Sequence, residues 1–134
     1  MDLGIEGKVA LVTGSSKGMG KAIALGLARE GAQVILSSRS PIKLEETQKE
    51  IEKETGKKCS FFPCDLSNRE DIENLVNYIT REAQGIDILV INSGGPPPGN
   101  ILSLSEEDWY KAFDLLLMSA IRLTKAFLPY MEAK

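Results

Sequence analysis

Thr13-Gly14-Ser15-Ser16-Lys17-Gly18-Met19-Gly20 joins an apolar, β-branched run to an amphipathic one, and the reading of this joint decides the fold. Residues 8–13 (KVALVT) have the composition of a buried strand. Residues 19–30 put Met19, Ala22, Ile23, Gly26 and Leu27 on one helical face, and Gly31 follows where a left-handed residue is cheapest. A glycine-rich turn between strand and helix lets backbone approach a ligand closely, and the helix beyond it offers unpaired N–H groups and a positive dipole end. That combination favours a phosphate. The glycines fall at 14, 18 and 20, so Gly-x-Gly-x-x-Gly is not satisfied; a Walker A loop fails too, since Gly20-Lys21-Ala22 comes one place late and lacks the magnesium-binding hydroxyl. The plain alternative is a tight turn whose glycines serve only close helix–strand contact.

The alternation continues outward. Gln33–Ser37 reads as a second strand, and Ser40-Pro41 as an N-cap followed by a first-turn proline, opening a charged helix that Gly56 stops. Residues 58–62 make a shorter third strand. Ser67-Asn68-Arg69-Glu70 has the form of a capping box before a helix striped by Ile72, Leu75, Val76 and Ile79, which Gly85 ends. Residues 86–92 (IDILVIN) are nearly apolar throughout, as in a strand buried on both faces. A loop over 93–100 carries Pro96, Pro97 and Pro98, and Ser105-Glu106-Glu107-Asp108 is a second capping box opening a long helix over 106–130. This spacing predicts a doubly wound parallel sheet between two helical layers, in strand order 3-2-1-4, with residues 1–134 as one domain.

Composition removes several functions. The 134 residues are 43% hydrophobic, enough for a packed core, and a net charge of −3 leaves no basic stripe for nucleic acid. There is no histidine, which eliminates Ser-His-Asp and Cys-His nucleophile schemes, and the two cysteines, Cys59 and Cys64, suit neither a metal site nor a disulfide framework. No apolar run has the length of a membrane span, and the expected compartment is the cytoplasm.

The pattern Thr13-Gly14-x-x-x-Gly18-x-Gly20 resembles the glycine motif of short-chain dehydrogenases/reductases. Further matches follow in order. Asp65-Leu66 comes after the third strand, Asp87-Ile-Leu-Val-Ile-Asn92-Ser93-Gly94 is similar to the family's Asp-x-x-x-Asn-Asn-Ala-Gly, and Glu107-Asp108-Trp109 opens the next helix. The overall run is most similar to 3-oxoacyl-acyl-carrier-protein reductases of that family. The resemblance implies a Rossmann-type fold and hydride transfer between a nicotinamide cofactor and a small carbonyl or alcohol substrate. It also implies roles: Gly14, Ser16, Lys17, Gly18, Met19 and Gly20 around the phosphates, Asp65 and Leu66 at the adenine, Asn92 and Gly94 at the ribose and the switch point of the sheet.

An NAD-selective site of this kind ends its second strand on a carboxylate. Here the chain reads Ser37-Ser38-Arg39-Ser40. An arginine fork and a serine hydroxyl suit a 2′-phosphate, and Lys17 projects towards the same region. Charge-assisted bonds to phosphate contribute about 1.5–3 kcal/mol each, so Ser38, Arg39 and Lys17 predict NADP(H). The alternative reading is that both cations are ordinary solvated side chains.

The resemblance also marks what is missing. It implies a proton-donating Tyr-x-x-x-Lys and a Ser beyond the long helix, and no catalytic residue or metal ligand is assigned within 1–134. Tyr78 and Tyr110 lack a lysine four places on, and the Tyr130–Lys134 spacing ends a helix rather than beginning one. Seven residues after Trp109, where the family carries a relay asparagine, stands Leu116. Trp109, Phe113, Leu116, Ala120, Leu123 and Phe127 form one stripe, while Leu115, Leu117, Met118 and Ile121 are apolar on other faces. A helix apolar nearly all round expects burial on several sides. Hence the expectation of a homo-oligomer through the 106–130 helix, and of a chain cut before its catalytic segment; the other possibility is a short protein complete in itself. The rival function is a non-enzymatic NADP(H)-binding or assembly module. An FMN-binding flavodoxin-like domain fits less well, given the late glycine pair and Asn92-Ser93-Gly94.

Overall fold

Val9–Thr13, buried at every position, forms β1 at the heart of a four-stranded parallel sheet. The computed structural model describes residues 2–95 and 98–133. After β1 come α1 (Gly18–Arg29), β2 (Gln33–Ser37), α2 (Pro41–Thr55), β3 (Ser60–Phe61), α3 (Arg69–Ala83), β4 (Ile88–Val90), α4 (Glu106–Phe113) and α5 (Ser119–Glu132). The strand order is β3-β2-β1-β4, as the alternation predicts, with Leu11 opposite both Ile35 and Leu89.

Successive side chains of β1 serve opposite layers. Val9 and Leu11 pack with Ile72, Leu75, Ile79, Leu123 and Phe127 beneath α3 and α5, whereas Ala10 and Val12 pack with Ala24, Ala28, Leu44 and Ile51 beneath α1 and α2. The sheet is therefore covered on both faces in a Rossmann-type arrangement. Ser40 caps α2 by accepting from the Lys43 N–H, Pro41 opens it, and Gly56 closes it at φ 70°.

Several expectations need correction. The α3 cap is Asn68, which accepts from the Asp71 N–H, while the Ser67 hydroxyl donates to Asp65 instead. The left-handed residue ending α3 is Gln84, one place before Gly85. The third and fourth strands are shorter than 58–62 and 86–92. Ladder pairing of β3 reaches only two residues, and β4 pairs with β1 alone, so Ile88, Leu89 and Val90 are half-buried rather than interior.

The long helix is likewise not uniform. The Ser105–Asp108 capping box is present as expected, but Asp114–Met118 forms a π-helical turn between α4 and α5. A π turn admits an extra residue and shifts the helical face. The predicted stripe accordingly divides: Leu123 and Phe127 are fully buried, while Trp109 (53%), Phe113 (50%) and Leu116 (47%) remain about half exposed. Among the described residues no helix is long and apolar enough to cross a membrane, and no cluster of metal-ligating side chains occurs. Of the triproline loop, Pro96 and Pro97 lie outside the described residues, as does Lys134 of the Tyr130–Lys134 pair.

Candidate functional site

The carboxyl ends of β1, β2 and β4 are tied together by side chains rather than by ladder bonds alone. The Thr13 hydroxyl donates to the Asn92 carbonyl (2.7 Å) and accepts from the Asn92 N–H (2.8 Å). Ser15 Oγ accepts from the Ser37 N–H at 3.0 Å, and Ser37 Oγ donates to the Phe62 carbonyl at 2.8 Å. Asn92 Nδ2 then donates to the Gly14 carbonyl at 3.1 Å, fixing the glycine turn against β4. At the other end of the sheet Asp87 accepts from the Val9 N–H at 2.8 Å, so this acidic residue holds two strands in register.

Gly14 and Gly18 sit at φ 59° and 58°, the left-handed region that turns the chain from β1 into α1. A Cβ on Gly14 would meet the Asn92 carbonyl oxygen at 2.5 Å, so only glycine fits there. Gly20 faces inward: a Cβ on it would overlap the Gly14 carbonyl oxygen and come within 2.7 Å of Asn92 Nδ2. Lys17, the N-cap of α1, provides no side-chain acceptor, so the first-turn N–H groups are uncapped and point to the loop.

Around this helix end opens a cleft of about 760 Å³. Of the twelve residues singled out in the sequence, eleven line it: Gly14, Ser16, Lys17, Gly18 and Met19 from the turn, Ser38 and Arg39 after β2, Asp65 and Leu66 after β3, and Asn92 and Gly94 after β4. Gly20 does not; it makes the helix–turn contact that lets the rest approach. Met19 is 73% exposed at the rim, an apolar side chain that the described residues leave largely uncovered.

The electrostatics of the cleft oppose those of the whole protein. Lys17, Arg39 and Lys43 line it against the single carboxylate of Asp65, in a chain of net charge −3. None of these three cations forms an ion pair among the described residues. Asp65 is already engaged, accepting from the Ser67 N–H and hydroxyl at 2.9 and 2.7 Å. Ser38 Oγ is buried without a hydrogen-bond partner among the described residues, a costly state for a hydroxyl unless a ligand supplies one. Open helical N–H groups, unpaired cations and an orphaned hydroxyl together suit a phosphorylated ligand.

Sequence reasoning missed Ser40, Lys43, Cys64, Ser93, Gly95 and Leu115, which also line the cleft. Lys43 was readable, one helical turn after the Ser40 cap, but it looked like any solvated cation of a charged helix. Leu115 was not, since it lies within the π turn in a run of three leucines that periodicity does not separate. Burial, assisted by the nearby carboxylates of Asp71 and Asp65, pushes the Cys64 thiol up to about 12. It is thus an inert apolar contact at neutral pH, not a nucleophile.

Residues 8–134 match the family model for short chain dehydrogenases. The oxidoreductase YvaG of Bacillus subtilis is 36% identical over 136 residues, covering all of this chain and 50% of that protein. The 3-oxoacyl-[acyl-carrier-protein] reductase FabG of Vibrio cholerae is 39% identical over 132 residues, 98% of this chain and 52% of its own length. Among solved structures, L-sorbose reductase from Gluconobacter frateurii, complexed with NADPH and L-sorbose, superposes with a TM-score of 0.95 at 37% identity, over 99% of this chain and 51% of that one. The chain spans about half the length of the curated relatives it matches.

Proposed function

The chain belongs to the short chain dehydrogenase family, and from that premise we propose that it is the NADP(H)-binding part of an oxidoreductase interconverting a carbonyl and an alcohol. The observation that carries this reading is the cationic cleft at the amino end of α1, where β2 runs out into Ser38 and Arg39 with no carboxylate at its end. NADPH in the similar L-sorbose reductase supports the same cofactor.

The residues fit the cofactor in order. The N–H groups of the Gly14–Gly20 turn and the dipole of α1 take the pyrophosphate. Ser38 Oγ and the Arg39 guanidinium, with Lys17 beside them, take the 2′-phosphate. Asp65 and Leu66 flank the adenine, and Asn92 and Gly94 reach the ribose at the point where strand order reverses. The cofactor, when bound, supplies the hydride; this chain's own residues bind and orient it, and no residue of 1–134 is assigned as proton donor. A full catalytic unit therefore needs a hydroxyl acid from segments that the relatives possess beyond the matched half. 3-Oxoacyl-acyl-carrier-protein reduction is the specific activity favoured, on the 39% identity to the Vibrio enzyme. The compartment inferred is a reducing cytoplasm, in keeping with two buried, free cysteines.

Half-exposed Trp109, Phe113, Leu116 and Leu117 support a homo-oligomer through the 106–130 helix. A second reading is an NADP(H)-binding module without catalysis; reduction by this chain alone at rates typical of an enzyme would overturn both that reading and the division of labour. The cofactor assignment is tested by fluorescence titration of NADPH and NADH into the wild type and Arg39→Asp. The wild type is expected to prefer NADPH by tenfold or more, and the variant to lose that preference. Unchanged preference in Arg39→Asp overturns the assignment.

A further inference from the structure

We propose that Lys43, in the first turn of α2, is a third cation for the 2′-phosphate and a determinant of NADP(H) selectivity, on a stretch of helix backbone that the buried hydroxyl of Thr47 ties to the phosphate turn. The inference rests on the preceding reading of the cleft and adds to it an element that the glycine motif and the end of β2 do not contain.

Three observations converge on Lys43. It lines the same cleft as Ser38 and Arg39, without an ion-pair partner among the described residues. Its N–H is bonded at 3.3 Å to Ser40 Oγ, so the start of α2 is set by a cap that itself lines the cleft. Its carbonyl accepts from Thr47 Oγ1 at 3.0 Å, and the same hydroxyl lies 3.3 Å from the Ser16 carbonyl in the glycine turn. Thr47 is 1% exposed. A threonine donating only to the carbonyl four residues back is commonplace in helices; one that also reaches the phosphate turn links two elements that must grip the same ligand.

The link is reinforced along the helix pair. Lys21 on α1 meets Glu50 on α2 at 2.6 Å, and Arg29 pairs with Glu54 one turn further on. These bridges fasten the second half of α2 to α1, while Thr47 joins its earlier turns to the phosphate loop. A helix turn whose backbone is fixed before the ligand arrives loses less freedom on binding than a mobile loop would, although the lysine side chain itself must still order. Lysine, as a compact point charge with three donors, complements the planar fork of Arg39 on a tetrahedral phosphate.

The probes are 2′,5′-ADP, which carries the 2′-phosphate, and 5′-AMP, which does not, titrated calorimetrically into the 134-residue chain. Lys43→Ala and Lys43→Gln are expected to weaken 2′,5′-ADP by about fivefold or more while leaving 5′-AMP within twofold. Lys49→Ala removes the same charge from the same helix but pairs with Glu45 at 3.3 Å, away from the cleft, and is expected to change neither. Thr47→Val is expected to give part of the Lys43→Ala loss, Thr47→Ser to restore it, and the double variant Lys43→Ala/Thr47→Val to lose no more than Lys43→Ala alone. Equal losses for Lys43→Ala and Lys49→Ala, or a Lys43→Ala value indistinguishable from wild type, overturn the proposal while the cleft reading stands. If the wild type binds 2′,5′-ADP no better than 5′-AMP, the underlying cofactor reading is what fails.

Discussion

Alanine at Gly20 and alanine at Gly26 make the same chemical change in the same helix, and the structure requires opposite outcomes. In an open helical position the substitution stabilises by about 0.5–1 kcal/mol, because glycine surrenders more backbone freedom on folding. Gly26 meets that condition: nothing lies within 4 Å of a Cβ placed there. A Cβ on Gly20 overlaps the Gly14 carbonyl oxygen, lies 2.8 Å from the Gly14 carbonyl carbon and 2.7 Å from Asn92 Nδ2. Two of these neighbours are backbone atoms, so relief requires moving the turn itself and stretching the 3.1 Å Asn92–Gly14 bond. Overpacking of that kind costs about 1–3 kcal/mol, which outweighs the helical gain. The helical gain is common to both variants, so the expected difference between them is about 1–3 kcal/mol, or roughly 3–10 °C in Tm for a chain this size. Urea unfolding followed by circular dichroism measures it. Variants within about 0.5 kcal/mol of one another would refute the close approach of α1 to the turn, and with it the geometry of the cleft.

Three other outcomes follow from particular contacts. Asn68→Ala should cost about 1 kcal/mol of stability in the same assay and Ser67→Ala clearly less, since only the former removes the α3 cap; the reverse order would restore Ser67 as the cap. Burial lifts the thiols of both Cys59 and Cys64 to about 12, with Glu52 adding to the first, and Asp71 then Asp65 to the second. Because the unfolded thiols ionise near 9 and release protons that the folded ones retain, stability should be intact below pH 9 and fall between pH 9 and 12, by at most about 1.4 kcal/mol per pH unit for each thiol. Replacing both with alanine should flatten this limb, and an unchanged limb would contradict the burial. Lysine at Leu117 and Ile121, 49% and 39% exposed, should lower the sedimentation mass if this helix joins copies of the chain; a wild type monomeric at tens of micromolar removes that reading.

Much of this molecule was legible because its strongest signals are local. Ser40, Pro41 and Gly56 bound α2 where cap chemistry says they should, and the glycine turn with its neighbouring strand ends marks eleven residues of one cleft in the sequence itself. What escaped depends on neighbours. A run as apolar as 86–92 reads as interior, but its pairing length is set by the partner strand, and β1 engages only Ile88–Val90. Ser67 and Asn68 are both competent caps; Asp65 attracts the Ser67 hydroxyl and leaves the role to Asn68. The π turn over Asp114–Met118 leaves no trace in periodicity, because a run of three leucines satisfies either register, and with it the place of Leu115 at the cleft stayed hidden. Gly20 matched the motif for a packing reason, not a lining one.

Isothermal calorimetry of NADPH against the folded 134-residue chain, with NADH as the companion titration, addresses the central claim without any substitution. The account predicts one NADPH site per chain, with NADH weaker by at least tenfold because it offers nothing to Arg39, Ser38 and Lys17. Heat from neither nucleotide, in a sample shown to be folded, would contradict it.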